Sequence, residues 1–308
     1  MKMTWETGLY DMGNQIYCYV TNGAVMMSNC CMVVGEDVAL VFDVLSTKSE
    51  TEKFLEACRK YTDKPIKYLV LSHCHGDHFL GRNALGDVTI ISHESVKEAI
   101  KLDSERNKAD PLKIVRSYPH MDFTDRAYPR PDIMITGQKN YLKIDLGKRE
   151  VILKHAGCCH TPGDVFMYVP DANFFAMGDI LFHFVAPVTT IGDLDNWTDT
   201  LQQVYSLNPD KLLPGHGPIC EKDALLELKK YLETVKKIGI EMALGQRELK
   251  DEVPCLEEQE IIALGWKETS RLVMSAEQYA SKIKGEKYVT DMDRVHMLNT
   301  LRETLGEK

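Results

Sequence analysis

No apolar run in this 308-residue sequence approaches the ~20 residues a helix needs to cross a bilayer; its longest apolar stretches are strand-sized. A membrane partner is therefore not expected. The opening residues Met-Lys-Met-Thr-Trp-Glu-Thr-Gly are polar and charged where an export signal would place its apolar core, so a cytoplasmic location is the expectation. Spaced cysteine pairs of the C-x-x-C kind are also missing. The nine cysteines include two adjacent pairs, Cys30-Cys31 and Cys158-Cys159, which suit neither a zinc knuckle nor a secreted disulfide framework. Reduced thiols are the economical reading. A basic excess is lacking too: 37 Lys and Arg stand against 46 Asp and Glu, a formal charge of −9. A polyanion is bound through a cationic face that neutralises its phosphates, so nucleic acid is not an expected partner and a small-molecule substrate is. Internal repeats and low-complexity linkers are absent. At 44% hydrophobic and 27% charged residues, the chain has the composition of a folded globular protein, which excludes disorder or coiled coil as a global description.

What is present, up to about residue 220, is a dense series of short apolar runs punctuated by turn residues. Segments 15–20, 25–34 and 38–42, rich in Val, Tyr and Met, read as strands, with Gly35-Glu36-Asp37 as a hairpin turn. The spacing of Phe54, Leu55 and Cys58 predicts a helix over 47–61, and 66–71 is a continuous apolar strand ending at Ser72. Another strand is expected at 88–91. More should follow between Tyr141 and Asp179, with Pro170-Asp171-Ala172-Asn173 as a turn. A helix over 196–207 and a short strand at 211–213 complete this part. Residues 101–140, rich in Asp, Arg and Pro and poorly periodic, are expected to form a long loop insertion.

Beyond Glu221 the texture changes. Leu225, Leu228, Leu232, Val235 and Met242 recur at helical intervals on a Lys/Glu background. A second helix is expected from Thr290, where Thr290 and Asp293 can form a capping box ahead of Val295, Leu298 and Leu305. The expected organisation is a catalytic domain over 1–222 and a helical extension over 223–308 packed on it. The Leu stripe must meet either the core or a second copy, so a homodimer through this region is a further expectation.

The chemistry concentrates in Leu71-Ser72-His73-Cys74-His75-Gly76-Asp77-His78. Three imidazoles and a carboxylate sit within six positions, directly after an apolar strand. A strand end feeding a loop lets side chains converge on one point without a helix imposing a face. Protonated imidazoles this close would repel, so a metal cation is their natural organiser.

On these residues the chain resembles the metallo-β-lactamase superfamily, and four further elements follow in that family's order. Asp43 closes the strand 38–42. His160 stands in Ala156-Gly157-Cys158-Cys159-His160-Thr161-Pro162-Gly163-Asp164, Asp179 in Met177-Gly178-Asp179-Ile180, and His216 in Pro214-Gly215-His216-Gly217. The resemblance covers roughly residues 15–220. It implies an α/β fold, the four-layer αββα metallo-β-lactamase sandwich, here with a helical C-terminal appendage and with the site at one edge of the two sheets. It further implies a dinuclear centre: His73, His75 and His160 on one metal, Asp77, His78 and His216 on the other, Asp179 bridging them, and Asp43 orienting a ligand. Asp77 would also be the catalytic group that orients the nucleophile and passes on a proton. Two Zn2+ ions suit imidazole and carboxylate donors, with Fe or Mn as substitutes. Such a pair activates a hydroxide and polarises a carbonyl or phosphoryl oxygen. The implied activity is hydrolysis of a small ester, thioester, lactone or lactam by a metal-bound hydroxide.

The stretch Asp179-Ile180-Leu181-Phe182-His183 followed by Pro187 is more similar to the glyoxalase II, lactonase and quinoprotein-relay-like hydrolases than to true β-lactamases, which usually lack an Asp bridge. His183 is a candidate for the substrate pocket or for ordinary loop packing. His93, His120, His155 and His296 have no motif context and read as structural or surface residues; Cys74 and Cys159 flank ligands without occupying a ligand position. Two alternatives stay open on the same fold: a mononuclear iron oxidoreductase of the persulfide-dioxygenase kind, and a phosphodiesterase or nuclease. Electron transfer of the flavodiiron type fits less well, because that family usually has Glu where His75 stands and carries a flavodoxin domain.

Overall fold

The computed structural model describes residues 4–247, 266–268 and 271–286. Its first sheet contains β1 (Gly8–Asp11), β2 (Ile16–Val20), β3 (Cys30–Val34), β4 (Ala39–Phe42), β5 (Ile66–Val70), β6 (Thr89–His93) and β7 (Ile133–Ile135), arranged in chain order. The pairs from β1 to β4 are antiparallel and those from β4 to β7 parallel. The second sheet contains β8 (Tyr141–Asp145), β9 (Glu150–His155), β10 (Val165–Val169), β11 (Phe174–Phe182) and β12 (Lys211–His216), ordered β12-β11-β10-β9-β8. Only β11 and β12 run parallel there. The helices are α1 (Lys48–Cys58), α2 (Glu94–Ala109), α3 (Lys113–Ser117), α4 (Leu194–Ser206), α5 (Asp223–Ala243) and α6 (Arg271–Lys284).

Side-chain periodicity explains the layering. In β11, Phe174 and Ala176 point into the space between the sheets while Phe175 and Met177 point to the outer face, as a period of two requires. Between the sheets, Val33, Leu40, Phe42 and Val70 meet Val151, Leu153, Met167 and Ala176. Outside the first sheet, Met32, Val41 and Leu69 are covered by Phe54 and Cys58 of α1 and by Val96 and Ile100 of α2. Outside the second, Phe175, Met177 and Leu181 are covered by Trp197 and Leu201 of α4 and by the stripe of α5. Helix, sheet, sheet and helix thus stack in four layers. Continuous apolar strands such as Cys-Cys-Met-Val-Val of β3 are buried on both faces, while the edge strand β8 alternates exposed and covered positions.

Several expectations change on folding. Residues 101–140 are not one loop: α2 runs through Ala109, α3 follows, and β7 adds itself to β6. The helix was hard to read because it buries only Val96 and Ile100, leaving most of its turns polar. Segment 25–34 is extended only from Cys30; the residues before it form an irregular loop that turns out to brace the functional site. The helix expected from Thr290 lies outside the described residues. Among those described, no helix is long and apolar enough to cross a membrane.

The α5 stripe is consumed within the chain. Leu225, Leu228, Leu232 and Val235 are fully buried against the second sheet and α4. Each large aliphatic side chain buried contributes about 1.5–3 kcal/mol, so four of them rival the ~5–15 kcal/mol total stability of a typical domain. Removing residues 223–308 should therefore give aggregated protein, checked by soluble yield and size-exclusion chromatography. A soluble, fully active truncation would contradict this.

Candidate metal centre

Four strand ends and one strand interior carry the sequence-predicted residues to a common edge. The parallel strands β4 and β5 finish side by side, which sets Asp43 next to the loop 71–78, and Gly76–His78 tightens into a 3₁₀ turn. The loop between β9 and β10 brings His160, and β12 ends on His216. Asp179 lies inside β11, where the register with β12 shifts on either side of Gly178. Such irregularities re-aim a side chain. Gly178 has φ +50°, and a Cβ there would stand 2.6 Å from Ser72 Cβ. Gly215 is equally constrained: a Cβ would come within 2.0 Å of Asp179 Oδ1. The Met-Gly-Asp and Pro-Gly-His motifs are therefore a mutual fit in which glycine leaves room for the carboxylate.

All seven candidate ligands meet in two adjoining groups. His73, His75, His160 and Asp179 form one; Asp77, His78 and His216 form the other, and within each the donor atoms lie within 4.8 Å of one another. Asp179 faces both. Its Oδ2 is 3.5 Å from His73 Nε2 and 3.1 Å from His160 Nε2, while its Oδ1 is 3.2 Å from His78 Nε2 and 3.5 Å from His216 Nε2. Asp77 Oδ2 stands 3.4 Å from His216 Nε2 and 4.0 Å from His78 Nε2. His75 Nδ1 and His160 Nε2 are 2.9 Å apart.

Electrostatics prepares these groups for a cation. Burial, then His78, pushes the pKa of His73 well down, and burial with His160 pushes His75 down to about 4. Both are neutral at pH 7, with lone pairs to donate. Burial opposes charge on His78, but Asp179, Asp43 and Asp77 outweigh it and hold its pKa well up. Burial likewise opposes charge on Asp179, yet His216, His78 and His73 keep that carboxyl well below the usual range. Among the described residues, His73 Nε2, His78 Nε2 and Asp179 Oδ1 are buried without hydrogen-bond partners. Buried polar atoms are nearly always satisfied, and a divalent cation would satisfy these imidazole nitrogens and the carboxylate oxygen together. The residues fit the metal.

The surroundings fix each ligand. Asp43 Oδ2 is 2.8 Å from His78 Nδ1, and its Oδ1 accepts from the Ser72 amide at 2.7 Å. Holding that pose costs Asp43 a φ of +58°, a region that Asp tolerates better than most residues. Ser72 Oγ is 2.9 Å from His73 Nδ1. Phe182 stacks on His216 with centroids 5.2 Å apart, and Trp197 meets His160 edge-on at 5.5 Å. His183 is not brought into the cluster. Its ring stacks on Phe184, its Nε2 is 3.6 Å from Glu227 of α5, and its Nδ1 is 3.4 Å from the Pro218 carbonyl. Stacked at 3.7 Å, His93 and His155 lie elsewhere.

Three positioning residues escaped sequence reasoning. Asp164 Oδ2 accepts the amides of Cys159, His160 and Thr161 at 3.1, 2.6 and 2.8 Å, and Oδ1 accepts the Thr161 hydroxyl at 2.6 Å. Burial pushes its pKa up to about 6 against the pull of His160 and Thr161. The signal was in the text, an Asp four residues after His160 across Pro162-Gly163. Ser28 Oγ donates to the Asp77 carbonyl at 2.5 Å, and Asn29 Nδ2 donates to the carbonyls of Pro214 and Gly217 at 2.9 and 2.8 Å. These two braces span up to 188 residues of sequence and left no local trace.

Comparison with known proteins agrees with this architecture. Residues 23–216 match the family model of the Metallo-beta-lactamase superfamily. A curated relative, the Beta-lactamase-like protein 2 homolog of Caenorhabditis elegans, is 23% identical over 172 residues, which are 56% of this chain and 49% of that protein. The chain therefore aligns with about half of that relative's length. Among solved structures, a metallo-beta-lactamase from Pontibacter korlensis superposes with a TM-score of 0.58 at 18% identity, covering 74% of this chain and 99% of that one. The stereoselective inverting sec-alkylsulfatase Pisa1 from Pseudomonas sp. gives 0.68 at 15% identity, covering 90% of this chain and 50% of that one. At these identities the likeness is one of fold.

Proposed function

The chain belongs to the metallo-β-lactamase superfamily of metal-dependent hydrolases, and from that premise we propose that it is a dinuclear hydrolase of a small ester, thioester, lactone or lactam. The observation that carries the reading is Asp179, whose two oxygens face two separate sets of donors. A carboxylate so placed serves two cations better than one. When bound, a pair of zinc ions, or iron or manganese in their place, would supply an activated water and a Lewis acid for the acyl oxygen. Candidate ligands for one ion are His73, His75 and His160, for the other Asp77, His78 and His216, with Asp179 common to both.

The rest of the work falls to the chain. Asp77 is the carboxylate at the lip of the cluster, its side chain 11% exposed against 4% for Asp179. Its Oδ2 is placed to orient the attacking water and to carry a proton to the leaving group. Asp43 holds the His78 ring from behind, and a buried carboxylate on the far nitrogen fixes the tautomer that presents Nε2 to the centre. Phe182 and Trp197 exclude water from the inner side.

Metal content tests the proposal. Seven side chains supply eight ligand contacts, Asp179 counting twice, so metal-supplemented protein should hold close to two ions per chain by elemental analysis. Chelation should abolish hydrolysis and lower the melting temperature, because a ligand bound only by the folded state stabilises it. One ion per chain, with oxygen uptake on a persulfide, would favour the mononuclear iron alternative instead.

A further inference from the structure

An imidazole that binds metal is usually aimed by a hydrogen bond to its far nitrogen. In the candidate centre His73 Nδ1 has Ser72 Oγ at 2.9 Å, His78 Nδ1 has Asp43 Oδ2 at 2.8 Å, and His216 Nδ1 has the Met27 carbonyl at 3.2 Å. His160 differs. Among the described residues its Nδ1 is buried with no hydrogen-bond partner. The direction of its ring is therefore set by the loop between β9 and β10, with Phe182 and Trp197 against the ring. Asp164 ties that loop from within.

A second tie comes from outside the centre. His93 ends β6 and His155 ends β9, so the two rings stand at strand ends of different sheets. They stack with centroids 3.7 Å apart and planes 13° apart, and both are buried. Backbone donors fix their tautomers. The Lys139 amide donates to His155 Nδ1 at 3.2 Å and the Ser95 amide to His93 Nδ1 at 3.3 Å, so both Nδ1 atoms present lone pairs. The hydrogens are on Nε2, where His155 donates to the Pro162 carbonyl at 3.1 Å and His93 to that of Gly137 at 3.3 Å. Pro162 lies two residues after His160. Its neighbour Gly163 is seated against the same pair, for a Cβ there would stand 2.5 Å from Ser95 Oγ. The loop that aims His160 thus leans on two neutral rings.

We infer that His155, stacked on His93, is a positioning residue for His160: it holds the ligand loop through the Pro162 carbonyl while neutral and releases it when protonated. The inference deepens the metal-centre reading and rests on it for the zinc measurements below. A proton can enter His155 only at Nδ1, where the new N–H would face the Lys139 N–H, donor against donor. From α2 the pair faces Glu94, whose Oε1 accepts the Gly137 amide at 2.9 Å. The loop 136–140 offers the Lys139 amide, and β10 the backbone of Val165. The Asp164 carboxylate is turned to the amides of 159–161. Burial, then His93, pushes the His155 pKa down; the Pro162 and Gly137 carbonyls and Glu94 oppose this and are outweighed. Because the fold favours the neutral ring, the hold is complete above the ordinary imidazole pKa of ~6.5 and is lost as the pH falls below it.

The test uses the full-length, zinc-supplemented protein. His155→Leu removes both hydrogen bonds of the ring. In competition titrations against a chromophoric chelator at pH 7.5, one of the two zinc dissociation constants should rise about 10-fold, the lower end for losing an outer partner of a metal ligand, and the other should stay. His155→Gln can still donate to Pro162 and accept from Lys139 but takes up no proton, so its zinc affinity at pH 7.5 should stay near that of the parent. Hydrogen exchange of peptides within 156–164, corrected for intrinsic rates, should quicken in the parent between pH 7.5 and 5.5 and hold steady in His155→Gln. Two constants that rise together in His155→Leu, or two that do not move, would overturn the inference. So would an equal quickening in the parent and His155→Gln, which would belong to Asp164, whose pKa burial pushes up to about 6. Should His155→Leu fail to fold, the exchange comparison with His155→Gln decides. A parent that binds no zinc would count against the metal-centre reading, while the same comparison would still decide the role of His155.

Discussion

Replacing Asp77 by Asn should cut hydrolysis at least ~10²-fold, the lower range for losing a general acid/base group. The substitution keeps the shape of a side chain that sits 3.4 Å from His216 and 4.0 Å from His78, and removes its charge and nearly all its basicity. Metal content should fall from near two toward one, because the group of His73, His75, His160 and Asp179 does not depend on Asp77. The checks are initial rates on a thioester or lactone panel, elemental analysis, and oxygen uptake by both proteins. A mononuclear oxygenase would keep most of its turnover in the variant and consume oxygen in the parent. Unchanged hydrolysis in Asp77→Asn would sink the two-metal assignment.

A larger loss is expected at Asp179. Because one of its oxygens serves His73 and His160 and the other His78 and His216, Asp179→Asn should weaken both halves of the centre together. Loss of an outer hydrogen-bonding partner typically costs 10–100-fold in metal affinity or activity, and this carboxylate touches the centre directly. Activity should therefore fall by more than ~10²-fold, and metal content to well under one ion per chain. In the metal-free protein the same substitution should still destabilise, because His216, His78 and His73 favour the Asp179 charge, but by less. Asp179 lies among four imidazoles with several of their nitrogens unpartnered, and an amide that removes a buried negative charge should cost less than it does in the holo form. Melting temperatures with and without added zinc would separate the two. A variant that still takes up two ions would show that Asp179 does not bridge.

These expectations were largely readable before folding, for a local reason. His73, His75, Asp77 and His78 share one loop, so their convergence depends on a single strand end and its 3₁₀ turn. His160, Asp179 and His216 were found through the family resemblance, each standing in a short glycine-containing motif. The structure explains that glycine: a Cβ at position 215 would collide with Asp179 Oδ1, and at 178 with Ser72. The four layers were implied by the family resemblance, while strand periodicity and the α5 stripe showed only a series of strands followed by a helical segment. The 101–140 region was not, since a helix that buries two residues carries almost no amphipathic signal.

The sequence by itself determined the candidate ligands, because each stands in a short motif legible over a few residues. Only the tertiary structure decided which oxygen of Asp179 faces which imidazoles. It also decided that Ser28 and Asn29 brace the site and that Arg271 comes to rest beside the carbonyl of Ala24, 247 positions earlier in the chain. Such pairings arise from packing two sheets and their helices into one solid. No spacing along the chain encodes them.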